Sequence, residues 1–353
     1  MPDTPKLTPM MKQYLEVKEQ CKDKILFFRL GDFYEMFFDD ALTASRELDL
    51  TLTGRAGGNK ERVPMCGVPF HSADTYIERL VHKGYKVAIC EQMEDPKLAK
   101  GIVKRKIIKV ITPGTITLEH AVASKKNNYI ACLTEKNDIL SIALMDVTTG
   151  ECLWSVCAVT AMEDSLFDIL SVYEPSELIY YRLGKQIDTV LQYLKSHMSQ
   201  CTVTPFEAED DCDYGEKAAA YFKKEDLEAA HDAAICIGML LSYVSEVMQS
   251  DISHINHLER IDNERRLVID AASIRHLEIT QNVRDGGRKG TLLDVLDKTH
   301  TAMGGRLLRK WLEAPLLRIS DIVLRQDAVE ELVRHEIMRQ DLSDTLDRIY
   351  DFE

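Results

Sequence analysis

The sequence predicts an α/β plus α protein: two mixed α/β units, followed by a helical stretch from residue 251 onward. Three observations carry this. Short β-branched and aromatic runs bounded by Gly, Pro, Asn and Asp turns recur between residues 25 and 181, with helically spaced apolar residues interleaved. Beyond residue 251 the pattern becomes helical, as in Ile322, Val323, Val329, Leu332 and Val333. At 353 residues the chain is too long for one ordinary domain, and its 45% hydrophobic and 29% charged content suits two or three packed cores.

Residues 1–112 read as the first mixed α/β domain. Pro9 opens a short helix over 8–20, because proline is tolerated where the first helical amide has no partner. Residues 25–30 form a strand, Gly31-Asp32 turns the chain, and 33–38 resume extended structure. Helical spacing returns over 39–48, with Asp39 or Asp40 as a cap. His71-Ser72-Ala73-Asp74 opens a helix to about residue 83, with Ser72 as its N-cap and Gly84 as its stop. Strands follow at 87–92 and 103–111. Thr112-Pro113-Gly114-Thr115 is a breaker and sets the first boundary, with a linker over 113–124.

Residues 125–250 form the second α/β unit. Strands at 129–134 and 139–147 pair around Lys136-Asn137-Asp138, and Thr148-Thr149-Gly150 leads into a third strand over 151–159. A helix over 162–172 and a strand over 177–181 complete an RNase-H-like order. Helices are predicted at 185–197, 217–223 and 227–248, the last favoured by Ala-rich stretches. The third part, 251–353, holds a short β-like piece at 266–269 and helices at 271–280, 292–296, 302–312 and 319–335, with Pro315 closing the third of these.

Composition excludes several classes. No run of 18 apolar residues exists to cross a bilayer as a helix, and the proline-bearing N-terminus lacks a signal-peptide core, so a cytoplasmic protein is expected. The nine cysteines are irregularly spaced with no C-x-x-C, which points to buried reduced thiols rather than zinc or a disulfide framework. The net charge of −14 is unevenly spread. Residues 1–112 carry 19 Lys and Arg against 16 Asp and Glu, a net of +3, whereas the remainder carries 25 against 42, a net of −17. Lys97, Lys100, Lys104, Arg105, Lys106 and Lys109 follow one another without an intervening acid. Such a stripe can neutralise phosphates, or simply solvate a strand edge.

The segment from Phe27 to Phe38 is unusually aromatic. Alternation along a strand places Phe33, Glu35 and Phe37 on one side and Tyr34, Met36 and Phe38 on the other. An aromatic ring and a carboxylate thus share one face beside a glycine turn. On pattern alone this fits a core hairpin with one solvated Glu, although the glycine turn can push the backbone outward.

Gly31-Asp32-Phe33-Tyr34-Glu35-Met36-Phe37 resembles the Phe-x-Glu segment of the MutS family's mismatch-binding domain. The resemblance extends along the chain in order, through Pro9-Met10-Met11-Lys12-Gln13-Tyr14, Pro64-Met65-Cys66-Gly67-Val68-Pro69-Phe70-His71, Val87-Ala88-Ile89-Cys90-Glu91-Gln92 and Val110-Ile111-Thr112-Pro113-Gly114-Thr115. It continues in Asp270-Ala271-Ala272-Ser273-Ile274-Arg275-His276-Leu277-Glu278 and in Met303-Gly304-Gly305-Arg306-Leu307-Leu308-Arg309-Lys310-Trp311-Leu312. It implies a mismatch-binding domain at 1–112, a connector at 125–250 and the first part of a helical core at 251–353. It also implies binding of mismatched or unpaired bases in duplex DNA. Phe33 would be a wedge inserted from the minor groove, where a mismatch lowers the cost of unstacking. Glu35 would accept a hydrogen bond from the displaced base or, if protonated, donate one to a purine N7. Arg55, Gly67, Pro69 and His71 match other DNA-contact positions. Arg55 would meet a phosphate from a loop with Gly54, Gly57 and Gly58, and His71 would either contact DNA or cap its helix. Lys104, Arg105 and Lys106 would contact the backbone.

The resemblance also implies what this chain lacks. No G-x-x-x-x-G-K-[ST] occurs, and Gly286-Gly287-Arg288-Lys289-Gly290-Thr291 has the wrong spacing. No ATPase activity and no cofactor are expected of this chain, with ATP and Mg²⁺ belonging to a C-terminal domain absent from it. The connector implies a MutL-type partner, and the full-length family implies a homodimer. A nuclease is the alternative from another class: Asp146, with Glu177 and Asp188, could seed the converging carboxylates of a catalytic RNase-H fold. A MutS relative that binds branched DNA without a wedge is a second, against which Phe33 and Glu35 argue.

Overall fold

The computed structural model describes residues 7–56, 62–94, 101–116, 126–209, 212–261, 266–267, 269 and 271–351. Gly57, Gly58, Lys97, Lys100 and most of the predicted linker lie outside the described residues. The chain divides into two compact units, Met1–Leu118 with Tyr243–Ile252, and Glu119–Ser242 with Ser253–Glu353. The predicted second and third domains therefore share one unit. Residues 243–252 join the first unit because Val247 packs into its core and the Lys86 ammonium donates to the Tyr243 hydroxyl at 2.9 Å.

The first unit is built on a six-stranded sheet. In chain order it comprises α1 (Pro9–Lys18), β1 (Ile25–Leu30), β2 (Phe33–Phe37), α2 (Phe38–Leu48), β3 (Thr53–Ala56), β4 (Arg62–Pro69), α3 (Ala73–His82), β5 (Val87–Gln92) and β6 (Arg105–Ile111). The sheet order is β3-β4-β2-β1-β5-β6, with only β1 and β5 parallel. Thr8 caps α1, accepting from the Met11 amide at 3.4 Å. β1 and β5 match their predicted spans; β3 and β4 were not predicted as strands. Gly54 in β3 and Pro64, Gly67 and Pro69 in β4 depress β-propensity, and a proline is accommodated only where a ladder amide is dispensable.

Phe38, expected to continue the strand, instead starts α2 at a φ of 54°. Neither Asp39 nor Asp40 caps that helix. Asp40 is buried and accepts from the Leu26 amide at 3.0 Å, the Tyr14 hydroxyl at 3.1 Å and the Lys18 ammonium at 2.9 Å, tying α2 to β1 and α1. Burial, reinforced by Asp40, holds the Tyr14 hydroxyl well above its usual titration range.

The second unit contains β7 (Ile130–Lys136), β8 (Ile139–Asp146), β9 (Glu151–Ala158), α4 (Met162–Tyr173), β10 (Glu177–Tyr181), α5 (Gln186–His197), β11 (Thr202–Pro205), α6 (Tyr214–Ala219), α7 (Lys224–Ala229), α8 (Ala234–Met248, continuing into the first unit), β12 (His257–Arg260), α9 (Ala271–His276), α10 (Leu292–Leu296), α11 (Ala302–Glu313), α12 (Ile319–Arg334) and α13 (Glu336–Leu346). Its sheet runs β11-β10-β7-β8-β9-β12. β7, β8 and β9 form the antiparallel meander and β10 adds in parallel, the RNase-H-like order the sequence predicts; β11, which also adds in parallel, and β12 were not predicted as strands. Asn137 and Asp138 take positive φ at the β7–β8 turn, which these residue types tolerate. Two predicted helices shift. Asp213 caps α6 at Tyr214 by accepting from the Gly215 and Glu216 amides, ahead of the expected start at residue 217. The single helix expected over 227–248 is split into α7 and α8, and the Ser141 hydroxyl takes the Asp232 carbonyl between them at 3.0 Å.

All nine cysteines are free thiols. Burial pushes Cys66 up to about 11 and Cys90 up to about 12, which suppresses the reactive thiolate.

Two outcomes test this packing. Asp40→Ala removes the acceptor that three donors share, so urea unfolding of the first unit is expected to lose about 3 kcal/mol; a loss below about 1 kcal/mol would refute the hub assignment. In the second unit, burial pushes the Glu313 carboxyl up to about 7, against the pull of Arg309. The folded state therefore keeps a proton that the unfolded chain releases earlier. The stabilisation is full at low pH and disappears as pH rises through about 7. Glu313→Gln should flatten the fall in stability between roughly pH 5 and pH 8, and an unchanged pH profile would count against it.

Candidate nucleic-acid interface

The register of the first sheet brings dispersed residues onto one face. Phe33 pairs with Leu30 and Pro69, Glu35 with Phe28 and Gly67, and Phe37 with Met65. Arg55 pairs with Val63, which shares the face of Met65, Gly67 and Pro69. Phe33, Glu35, Arg55, Gly67 and Pro69 therefore lie on a single surface.

Helix α1 covers one end of that surface. Tyr14 meets Phe37 edge-on at 5.0 Å and Phe28 at 5.4 Å, and Phe37 is fully buried. The other end is open: Phe33, four residues back on the same face, is 46% exposed. Gly31, at a φ of 58°, makes the turn that places Phe33 at the sheet's rim.

Beside Phe33, the Arg55 guanidinium donates to the Glu35 carboxylate at 2.6 Å, with Glu35 half-buried and Arg55 exposed. The ion pair neutralises the Glu35 carboxylate. Gly67 opposite is required by close approach, since a Cβ there would lie 3.1 Å from the Tyr34 carbonyl oxygen and 3.4 Å from Glu35 Cγ.

His71 is exposed and sits in a single 3₁₀ turn, Phe70–Ser72. It does not cap α3, nor does the Ser72 side chain, which donates to the Pro69 carbonyl instead. The basic stripe divides by strand alternation. Lys104 and Lys106 are exposed, whereas Arg105 turns inward: its guanidinium donates to the carbonyls of Arg29 and Val103 and to Gln13, and lies over the Phe28 ring. Arg105 thus leaves the set of outward phosphate contacts.

Sequence reasoning missed Arg29 and Phe70. The Arg29 guanidinium stacks on the Phe70 ring at 3.8 Å, and Phe70 is 44% exposed. The available signal was the aromatic that directly follows Pro69, the partner of Phe33.

The nuclease alternative loses its lead residue. Asp146 is fully buried, and its carboxylate accepts from Asn127, the Asn128 amide, and both the amide and hydroxyl of Thr148. It is the anchor of a turn. Among the described residues no cluster of His, Cys, Asp and Glu has the geometry to hold a metal, and no helix is long and apolar enough to cross a membrane.

An aromatic rim on a mixed sheet, followed by an RNase-H-like unit and helices, defines a multidomain α/β protein. Residues 8–120 match the family model described as MutS domain I, 128–257 that of MutS domain II, and 272–353 that of MutS domain III. A DNA mismatch repair protein MutS from Ruminiclostridium cellulolyticum is 47% identical over 353 residues, covering 98% of this chain and 40% of that relative. Its counterpart from Acetivibrio thermocellus is 46% identical with the same coverage, and that from Brevibacillus brevis is 44% identical over 98% of this chain and 38% of its own length. The chain spans about two fifths of the length of the curated relatives it matches. It belongs to the MutS family, and its parts correspond in order to domains I, II and III.

The contrast between the two phenylalanines is testable by thermal or urea unfolding. Phe33→Ala should change first-unit stability by less than about 0.5 kcal/mol, as for an exposed side chain. Phe37→Ala should cost about 3–5 kcal/mol. Equal costs would place Phe33 in the core.

Proposed function

We propose that the chain recognises mismatched or unpaired bases in duplex DNA, with Phe33 as the ring that stacks at the defect and Glu35 as the hydrogen-bonding group beside it. The exposure of Phe33 at the rim of a sheet whose other strand aromatics are buried is the observation that carries this reading. Three relatives that bear the name DNA mismatch repair protein MutS add support. A hydrocarbon ring stacks on any base, and unstacking a step costs a few kcal/mol, less where pairing is already poor. The defect is read as deformability rather than as sequence.

Glu35 poses a physical difficulty, since a carboxylate near phosphates is repelled. The Arg55 partner at 2.6 Å relieves it. On binding, Arg55 would be free to turn to a phosphate as Glu35 engages the base. Pro69, Gly67 and the exposed His71 would border the same groove, and Lys104 and Lys106 would supply backbone charge. The acidic second unit suits a protein partner better than DNA, and a MutL-type protein is the partner we assign it. Pairing of two full-length copies and ATP-Mg²⁺ chemistry are assigned to sequence outside these residues.

Binding of the purified chain to a G·T duplex, an unpaired-T duplex and a perfect duplex at one fixed salt concentration tests the reading. Tighter binding of the defects is expected, with Phe33→Ala abolishing the preference while perfect-duplex binding persists. A preference that survives Phe33→Ala would sink it. Lys104→Ala and Lys106→Ala should weaken all three duplexes alike, each reducing the salt slope by about 1. ATP turnover by the chain is expected to stay at background; turnover above it would overturn the assignment of that chemistry elsewhere.

A further inference from the structure

A probing ring discriminates only if it is held out before DNA arrives, since a tip that must be ordered on binding loses affinity for the defect. We propose that Arg29 is the positioning residue that holds the Phe33 tip, an inference that rests on the reading of Phe33 as the probe.

Arg29 pairs with Tyr34 across β1 and β2, so its side chain leaves the sheet on the face opposite Phe33. There one guanidinium gathers three segments. Its Nε donates to the Gly31 carbonyl at 2.6 Å, in the turn that leads into Phe33. Its Nη1 reaches the Glu91 carboxylate on β5 at 3.3 Å. Its plane lies 3.8 Å from the Phe70 ring centroid, just past the end of β4. The Tyr34 hydroxyl donates to the same Glu91 oxygen, and the Phe70 amide donates to the Asp32 carbonyl at 2.9 Å, closing the turn against β4.

The turn itself is open to solvent. A Cβ built on Gly31 meets nothing within 4 Å, and Gly31, Asp32 and Phe33 are all exposed. Besides the ends of the β1–β2 and β2–β4 ladders and the Phe70–Asp32 bond, the tie from Arg29 to the Gly31 carbonyl links the tip to the body of the sheet through a side chain. The guanidinium is committed to a carbonyl, a carboxylate and a ring, so Arg29 acts through the tip rather than by touching DNA. Lysine cannot reproduce this, because the arrangement uses a planar donor fork and a stacking face together.

Amide hydrogen exchange and duplex binding on the full chain test the proposal. In Arg29→Ala, exchange of the Phe70 amide is expected to quicken about tenfold while Phe27 and Ile89, within the paired β1 and β5, stay unchanged. The ratio of mismatch to perfect-duplex affinity should fall about tenfold with perfect-duplex affinity held. Arg29→Lys should behave as Arg29→Ala, and Glu91→Gln should shift both readouts in the same direction, so the test survives if Arg29→Ala fails to fold. Unchanged Phe70 exchange, or equal losses on mismatched and perfect duplexes, would overturn the positioning role. Failure of the probe reading has a separate signature, namely a defect preference that persists in Phe33→Ala.

Discussion

Partial coverage of one sheet face by helix α1 is the constraint on which the first unit turns. Tyr14 fills the space over Phe28 and Phe37, and its hydroxyl reaches the Phe37 carbonyl at 3.3 Å and Asp40 at 3.1 Å. Full burial of a phenylalanine is worth about 1.5–3 kcal/mol, and Phe37 collects it. Phe33, 46% exposed, forgoes much of that stabilisation on the same face of the same strand. An apolar ring left out of a well-packed unit costs little in folding and is available to a partner.

Charge follows the same division. The open end of the face carries an acid and a base bound to each other, so it presents a hydrogen-bonding carboxylate without a net negative field. Around it, alternation along β6 sends Arg105 into the sheet to brace Arg29 and Gln13 while Lys106 stays in solvent. A run of three cations in sequence, Lys104-Arg105-Lys106, is therefore two kinds of residue in space. One kind holds the fold, and the other sets the potential of the surface.

Much of this was legible beforehand. Regular runs such as 25–30, 87–92 and 139–147 declare themselves by composition, and the central meander of the second sheet follows from three strands met in succession, though its outer strands β11 and β12 do not. The face shared by Phe33 and Glu35 follows from alternation alone. Their neighbours did not follow, because Arg55 and Gly67 reach them through β3 and β4, strands disguised by Gly54 in the one and by Pro64, Gly67 and Pro69 in the other. Asp40 looked like a cap because it lies at a helix start, yet three buried donors claim it from other segments. The stacking of Arg29 on Phe70 joins residues distant in sequence, and no local pattern encodes it. Local propensity read the elements; non-local hydrogen bonding and packing decided what individual polar side chains do.

Strand β12 bears on where this chain can be cut. His257–Arg260 pairs in parallel with Glu151–Trp154 of β9, although the sequence pattern ends the α/β unit near residue 250. Only Leu258 of its four residues is buried, so it contributes little core, but it occupies the outer edge of a sheet whose β9 carries Cys152, Leu153 and Trp154. A chain trimmed at residue 250 would expose that apolar strand with unpaired amides and carbonyls, a template for edge-to-edge aggregation. Four mostly polar residues thus serve as a selvedge, finishing the sheet with a polar border in place of the apolar β9.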